Sequence, residues 1–162
     1  MPGFAALPPG VNRLSLKPSL TTFAEKHMKS IEVLIVEDSP GDAFLMSQVV
    51  EEYPASIKIH MADDGEKALA LLTRRDFKPD LILLDLNMPK ISGDDVLARY
   101  EPKEAPIVVF TSFRSHTTER LAMELGASEV VAKPSNLSDY VATIRRVLER
   151  WLPQNGKRTS RD

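Results

Sequence analysis

Polar residues that could bind a phosphoryl group or a hard metal ion follow four of the short apolar runs in the sequence. Glu37 and Asp38 follow VLIV, Asp85 follows LILL, Thr111 follows VVF, and Lys133 follows VVA. A single residue of this kind is common after a strand, where acids and hydroxyls often cap the next loop. Four coincident positions instead favour one functional site.

These residue types together suit phosphoryl transfer. Carboxylates crowded into one site repel one another by roughly a few kcal/mol per close pair at an effective dielectric near 20, and a divalent cation relieves that repulsion. Oxygen ligands indicate Mg2+, which keeps several waters and binds one or two carboxylates plus phosphate oxygens. One carboxylate could attack phosphorus and form a mixed anhydride, while Lys133 neutralises charge on the phosphoryl oxygens. Thr111 could hydrogen-bond a phosphoryl oxygen only after transfer, which would couple the modification to conformation.

The elements that must bring these residues together can be predicted from the apolar pattern. Short β-branched runs alternate with longer amphipathic segments, as in βα units that feed a parallel sheet. The predicted strands cover residues 31–36, 56–60, 81–84, 107–110 and 129–132. They are mostly apolar without alternation, as strands covered on both faces should be. Right-handed crossovers would then give an α/β fold, a doubly wound five-stranded parallel sheet in a flavodoxin-like (βα)5 three-layer sandwich, which binds ligands at the carboxyl ends of its strands.

Capping residues mark the helices between these strands. The predicted helices begin after Pro40, at Asp64, after Ser92, near Ser115 and near Asn136. Asp64 and Ser92 are good N-cap residues because their side-chain oxygens can accept hydrogen bonds from the free N–H groups of the first turn. Gly126 follows Leu125 at a position where a left-handed residue would end a helix, so the fourth helix should stop there.

Composition limits the chain to one globular domain. The 162 residues are 43% hydrophobic and 27% charged, which is enough for one ordinary core. A net charge of −2 gives no field that would gather nucleic acid, and no apolar run approaches the length of a membrane span. Without cysteine there is no disulfide framework and no thiolate metal site, so a cytoplasmic protein is expected.

The predicted domain boundaries follow changes in composition. Residues 1–29 contain scattered prolines among small and polar residues and are predicted to be a flexible N-terminal extension, with a targeting or docking arm as the alternative. Residues 30–152 are the predicted folded domain. Residues 153–162 are mostly polar and are predicted to be a disordered C-terminal tail.

Four runs resemble the receiver domain of response regulators, namely VLIVEDS, LILLDLNMP, VVFTS and VVAKP, in this order and spacing and over about residues 31–152. The resemblance implies that Asp85 is the phosphoacceptor in a two-component phosphorelay. It also implies a Mg2+ site made by Glu37, Asp38, Asp85 and the backbone carbonyl of Asn87, with Thr111 as the switch hydroxyl and Lys133 as the phosphate-binding lysine. Such a domain is not an enzyme, since it catalyses only its own phosphorylation and dephosphorylation.

Two finer features resemble the small regulators that accompany bacterial phytochromes: the VEDSPGDA turn and the end of the last helix at residues 149–152. The resemblance implies a sensor histidine kinase or a phosphotransfer protein as partner, and neither nucleic acid nor membrane. Homodimers through the fourth helix, fifth strand and fifth helix are common in the family. A stand-alone regulator that works through protein contacts is therefore expected. One departure is Val130. The family usually has Tyr or Phe at this position, three residues before its lysine, as a side chain that changes rotamer on phosphorylation.

Three other functions share parts of this pattern. A flavodoxin-type electron carrier would surround a phosphate with Ser, Thr and Gly after its first strand, where Glu37 and Asp38 would repel it. A haloacid-type phosphatase needs an acid two residues after its nucleophile, and Asn87 stands there. A pseudo-receiver that only binds partners would lack a site acid, hydroxyl or lysine, and none is missing.

A few aromatic and histidine residues allow more than one interpretation. Phe44 belongs to the core or points outward as a contact for a kinase, and Trp151 closes the core or anchors an interface. Phe113 either shields the phosphorylated site from water or points outward. His60 and His116 have no spacing that pairs them with the acids in a zinc site, so surface or packing roles are predicted for both.

Overall fold

Five strands alternate with five helices along the described part of the chain, in the order that the sequence predicts. The computed structural model describes residues 30–101 and 104–153. The strands are β1 (Ile31–Val36), β2 (Ile57–Ala62), β3 (Leu81–Asp85), β4 (Ile107–Thr111) and β5 (Glu129–Ala132). The helices are α1 (Pro40–Glu51), α2 (Gly65–Leu72), α3 (Gly93–Arg99), α4 (His116–Glu124) and α5 (Leu137–Trp151).

The strands form one parallel sheet in the order β2-β1-β3-β4-β5. This is the strand order of the flavodoxin-like doubly wound folds, and it confirms the predicted fold class. Because β3 and β4 lie inside the sheet, every residue of these two strands is buried. The last residues of these strands, Asp85 and Thr111, are therefore buried at the carboxyl edge of the sheet.

The second strand differs most from its prediction, since it covers residues 57–62 rather than 56–60. It pairs with β1 residue for residue, from Ile57 opposite Ile31 to Ala62 opposite Val36. This ladder sets the end of the strand, whereas Met61 and Ala62 lack the β-branched side chains by which a strand is recognised in a sequence.

Helices cover both faces of the sheet, which gives three layers with a core on each side. On one face Leu34, Ile82 and Val109 pack against α2, α3 and α4, whose buried residues include Ala68, Leu72, Val96, Leu97 and Ala122. On the other face Val33, Leu83 and Phe110 pack against α1 and α5, whose buried residues include Met46, Val50, Ile144 and Leu148. Successive strand residues point to opposite faces, so continuously apolar strands fill both cores.

Side-chain caps begin the helices. The N-cap residues are Ser39, Asp64, Ser92, Ser115 and Asn136, and each accepts a hydrogen bond from a backbone N–H of the first turn. The caps predicted at Asp64 and Ser92 are therefore confirmed. Gly126 has a φ of 100°, so it is the predicted left-handed residue after α4.

The predicted extension over residues 1–29 and the predicted tail after Pro153 lie outside the described residues. Among the helices that the structure describes, none is long and apolar enough to cross a membrane.

Candidate functional site

Three carboxylates meet at the carboxyl ends of β1 and β3, which are neighbours in the sheet. Glu37, Asp38 and Asp85 each offer an oxygen atom, and these atoms all lie within 4.8 Å of one another. Glu37 and Asp85 are almost completely buried, whereas Asp38 is half-buried. The structure thus brings together three of the four residues that the sequence predicts as metal ligands.

Backbone groups hold the two buried carboxylates in place. The Ser39 N–H donates to Oε1 of Glu37 at 3.1 Å, and the Asn87 N–H donates to Oδ1 of Asp85 at 3.1 Å. The start of α3 also packs on the Asp85 loop, because a Cβ on Gly93 would stand 2.7 Å from the Cα of Leu86. Only glycine lets the start of α3 come this close to the backbone of residues 85 and 86, so this packing helps to fix the position of Asp85.

Lys133 lies among the acids at the end of β5. Its Nζ is 2.6 Å from Oε2 of Glu37, 2.9 Å from Oδ2 of Asp42 and 3.2 Å from Oδ2 of Asp85. The lysine side chain is only 8% exposed. Its backbone N–H donates to the Thr111 carbonyl at 2.8 Å, which fixes the start of the side chain next to β4.

Burial and charge act in opposite directions on these groups. Burial raises the pKa of Glu37 to about 7, the Lys133 hydrogen bond opposes this rise, and the charge of Asp85 adds to it. Burial alone would lower the pKa of Lys133, but its hydrogen bonds with Glu37 and Asp42 and the charge of Asp85 raise the pKa above its ordinary value. Lys133 is therefore an ammonium group at neutral pH, and a single cation faces several acids.

The carboxylate cluster fits a divalent cation. Its ligand atoms are all hard oxygens, and the distances among them allow one ion to contact all three residues after small side-chain movements. Crowding of buried carboxylates also makes a cation favourable, because one lysine does not balance their charge. Asn87, the fourth predicted ligand, lies beside this cluster, since its N–H contacts Asp85. Ligation through its carbonyl stays a prediction.

Thr111 is buried at the end of β4 and bonds to the loop that follows. Its Oγ1 donates to the Phe113 carbonyl at 3.2 Å and accepts from the Phe113 N–H at 3.2 Å. The Asn87 side-chain amide approaches the same oxygen at 3.5 Å. To donate to a phosphoryl group, the hydroxyl must release the Phe113 carbonyl, and this release would alter the loop before α4.

Asp42 contacts Lys133, although nothing in its sequence pattern assigns it to the site. It lies in the first turn of α1, where an acidic residue is common because it favours the positive end of the helix dipole. Its lysine partner is 91 residues away in the sequence. The contact is visible only in the folded structure, where the Lys133 side chain reaches from the end of β5 to the first turn of α1.

The structure also shows the positions of the aromatic residues, the histidine and the valine for which the sequence suggests roles outside the carboxylate cluster. Phe44 and Phe113 point outward, with 66% and 78% of their surface exposed, and Val130 is buried. Trp151 is half-buried and donates its indole N–H to Oε2 of Glu129 at 2.8 Å. His60 packs its ring edge against Phe77, in agreement with the predicted packing role.

Comparisons with known proteins place this geometry in context. The family model of the response regulator receiver domain matches residues 33–145. Response regulator Rcp1 of Synechocystis sp. (strain ATCC 27184 / PCC 6803 / Kazusa) is 31% identical over 129 residues, which cover 74% of this chain and 88% of Rcp1. Transcriptional regulatory protein CpxR of Escherichia coli (strain K12) is 36% identical over 126 residues, which cover 76% of this chain and 52% of CpxR. The chain thus spans about half the length of this curated relative.

Two solved structures are also similar. The Mn(2+)-bound form of response regulator Rcp1 matches with a TM-score of 0.70 and 31% identity, covering 75% of this chain and 94% of that one. The phosphorylated cyanobacterial phytochrome response regulator RcpA matches with a TM-score of 0.72 and 28% identity, covering 76% of this chain and 95% of that one. One relative therefore binds a divalent metal ion, and the other carries a phosphoryl group.

Proposed function

The chain belongs to the response regulator receiver-domain family, whose members accept a phosphoryl group in two-component signalling, and from this premise we propose that Asp85 is the phosphoacceptor. The observation that carries the proposal is the position of its carboxylate. Asp85 is buried at the end of a central strand, with Lys133 at 3.2 Å and two further acids beside it. Glu37 shares the lysine and the cluster but follows β1, whereas Asp85 is the last residue of β3, the middle strand of the described sheet.

The transfer begins with attack of an Asp85 carboxylate oxygen on the phosphorus of the donor. A phosphorus–oxygen bond forms to Asp85, and the bond from phosphorus to the leaving atom of the donor breaks, with its electron pair going to that leaving atom. The Asn87 N–H orients the carboxylate by its bond to Oδ1. The product is a mixed anhydride, which water hydrolyses to restore Asp85.

Charge stabilisation comes from Lys133 and from a bound cation. The ammonium group of Lys133 lies where it can donate to a phosphoryl oxygen on Asp85. We infer Mg2+ as the cation, held by Glu37, Asp38, Asp85 and the carbonyl of Asn87. When bound, it would neutralise charge on the phosphoryl oxygens.

Phosphorylation then acts on protein contacts. Thr111 would leave the Phe113 carbonyl for the phosphoryl group, and the loop before α4 would follow. We infer a sensor histidine kinase or a phosphotransfer protein as the donor, and the exposed Phe44 ring on α1 as part of the surface that meets it. A homodimer through α4, β5 and α5 is a further candidate output.

The direct test is phosphorylation by acetyl phosphate with MgCl2, followed by intact-mass spectrometry and by mapping of the modified residue. Wild-type protein should gain one phosphoryl group, and Asp85→Asn should gain none. Asp63→Asn is a matched control, because Asp63 is an exposed acid that follows β2 at the same edge of the sheet. Labelling of Asp85→Asn at the wild-type level would refute the assignment. Removal of the metal with EDTA should stop labelling, and MgCl2 should restore it.

A further inference from the structure

Asp42 contacts the ammonium group of Lys133, as Glu37 and Asp85 do. No step of the proposed phosphorylation mechanism uses Asp42. Its Oδ2 lies 2.9 Å from Nζ, closer than the 3.2 Å that separates Nζ from Asp85. Glu37 is closer still, at 2.6 Å. In this state the lysine is held mainly by the two acids that do not accept the phosphoryl group.

Asp42 differs from its two neighbours in burial and in support. Its side chain is 36% exposed, whereas the side chains of Glu37 and Asp85 are almost fully buried. It stands on the first turn of α1 rather than at a strand end, and it does not belong to the cluster that fits a cation. Asp42 can therefore lose its contact with Lys133 at a low cost, because water can solvate its carboxylate.

A phosphoryl group on Asp85 would change the competition for Lys133. The ammonium group has three N–H donors, and acids already surround it. A phosphoryl group adds strong acceptor oxygens and about −1.5 to −2 of charge in the known cases of hydroxyl phosphorylation. Its oxygens would attract Lys133 away from the acid that is easiest to release, which is Asp42.

We propose that Asp42 is a positioning residue, which holds Lys133 in a resting geometry and competes with the incoming phosphoryl group for the ammonium. This inference rests on the proposed function of Asp85. In the resting protein, the Asp42 contact restrains Lys133 from turning fully toward Asp85. During transfer, this contact must weaken, so Asp42 slows phosphorylation and limits spurious modification by small donors.

The resting contact can be tested without metal or phosphoryl donor. Urea unfolding in EDTA is measured for wild type, Asp42→Asn, Lys133→Met and the double variant. Asp42→Asn should increase the equilibrium constant for unfolding. This increase should be about fivefold larger when Lys133 is present than in the Lys133→Met background, because residues in contact are energetically coupled. Glu52→Gln removes the same charge from the end of α1, where Glu52 pairs with Arg145, and should show no coupling with Lys133→Met.

The competition is tested by phosphorylation rates. Asp42→Asn should accept a phosphoryl group about three- to tenfold faster than wild type, since a half-exposed ion pair no longer has to be weakened. Glu52→Gln should keep the wild-type rate. Acetyl phosphate and phosphoramidate should give the same factor, because the effect acts through Lys133 and not through attraction of the donor.

The outcomes separate this inference from the proposed function. Absence of coupling in EDTA would overturn the resting contact. An unchanged or slower rate in Asp42→Asn, or a gain confined to the more highly charged acetyl phosphate, would overturn the competition. If wild-type protein takes no phosphoryl group at all, the proposed function fails and the competition fails with it, while the unfolding cycle still reports separately on the Asp42 contact.

Discussion

Replacing Lys133 with methionine should destabilise the metal-free protein, because the buried acids would lose their countercharge. Methionine keeps most of the apolar volume of the lysine side chain, so the change acts mainly on charge. Glu37 and Asp85 offer oxygens within 4.8 Å of each other. At an effective dielectric near 20, two unit charges at this distance repel by about 3.5 kcal/mol.

Part of this cost is already present in the wild type, because burial raises the pKa of Glu37 to about 7. Protonating Glu37 at pH 7.5 therefore adds less than about 1 kcal/mol, and the loss of the Lys133 contacts with Asp42 and Asp85 adds to it. We expect a loss of about 1–3 kcal/mol in the free energy of unfolding at pH 7.5. This lies below the range of about 3–5 kcal/mol for removing one partner of a buried ion pair, because Glu37 can take up a proton.

The pH dependence has a definite sign. Lys133 lowers the pKa of Glu37 in the wild type, so its removal raises that pKa further. The folded variant then binds more protons than the unfolded chain above the ordinary carboxyl pKa, and its stability falls as pH rises through that interval. The difference from wild type should consequently shrink between pH 7.5 and pH 5.

The assay is urea unfolding followed by circular dichroism, with EDTA or with MgCl2. Mg2+ should stabilise Lys133→Met more than wild type, since the cation replaces the missing charge. Lys67→Met is the control, because exposed Lys67 pairs only with exposed Asp63 in the described structure and its loss should leave the midpoint almost unchanged. A loss below about 1 kcal/mol for Lys133→Met, with no response to pH, would refute the electrostatic argument.

Three further predictions concern residues around the site. Tyr140→Phe should be neutral or should stabilise the protein by up to about 1 kcal/mol in thermal unfolding. The reason is that the buried Tyr140 hydroxyl has no hydrogen-bond partner among the described residues. A clear loss of stability would mean that the hydroxyl is hydrogen-bonded. Thr111→Ala should leave Asp85 open to modification but reduce the amide chemical-shift changes of α4 on treatment with beryllofluoride, and changes equal to those of wild type would remove Thr111 from the switch. Phe113→Glu should speed the loss of phosphate from donor-free protein at fixed Mg2+ by roughly tenfold, because a carboxylate two residues after Thr111 can orient water. Phe113→Ala should decay like wild type, since the ring is 78% exposed, and equal decay in all three proteins would contradict a role for this position.

Features that depend on nearby residues could be predicted from the sequence. The Asp64 and Ser92 caps and the left-handed Gly126 each follow from a residue and its immediate neighbours. The meeting of Glu37, Asp38 and Asp85 followed from one topological rule, which brings the carboxyl ends of parallel strands to the same edge. The family resemblance added roles to these residues, and the family comparison agrees with it.

Features that depend on packing between distant elements could not be predicted. Asp42 has the sequence context of an ordinary first-turn acid, and its contact with Lys133 exists only because the fold lets the lysine side chain reach from the end of β5 to the start of α1. The outward direction of Phe44 depends on how α1 is rotated on the sheet, and α1 is too apolar for its pattern to fix this rotation. The end of β2 is set by its ladder with β1.

The separation of Glu37 and Lys133 also has a consequence for biosynthesis. These two residues are 96 positions apart, and they meet only after β5 has joined the edge of the sheet beside β4. Contacts between such distant residues require closure of long loops and are slow to form compared with local ones. A nascent or misfolded chain that lacks the last strand therefore has acids without their lysine and cannot complete the acceptor site. Competence to receive a signal would then report that the polypeptide has finished folding, which restricts signalling to intact molecules.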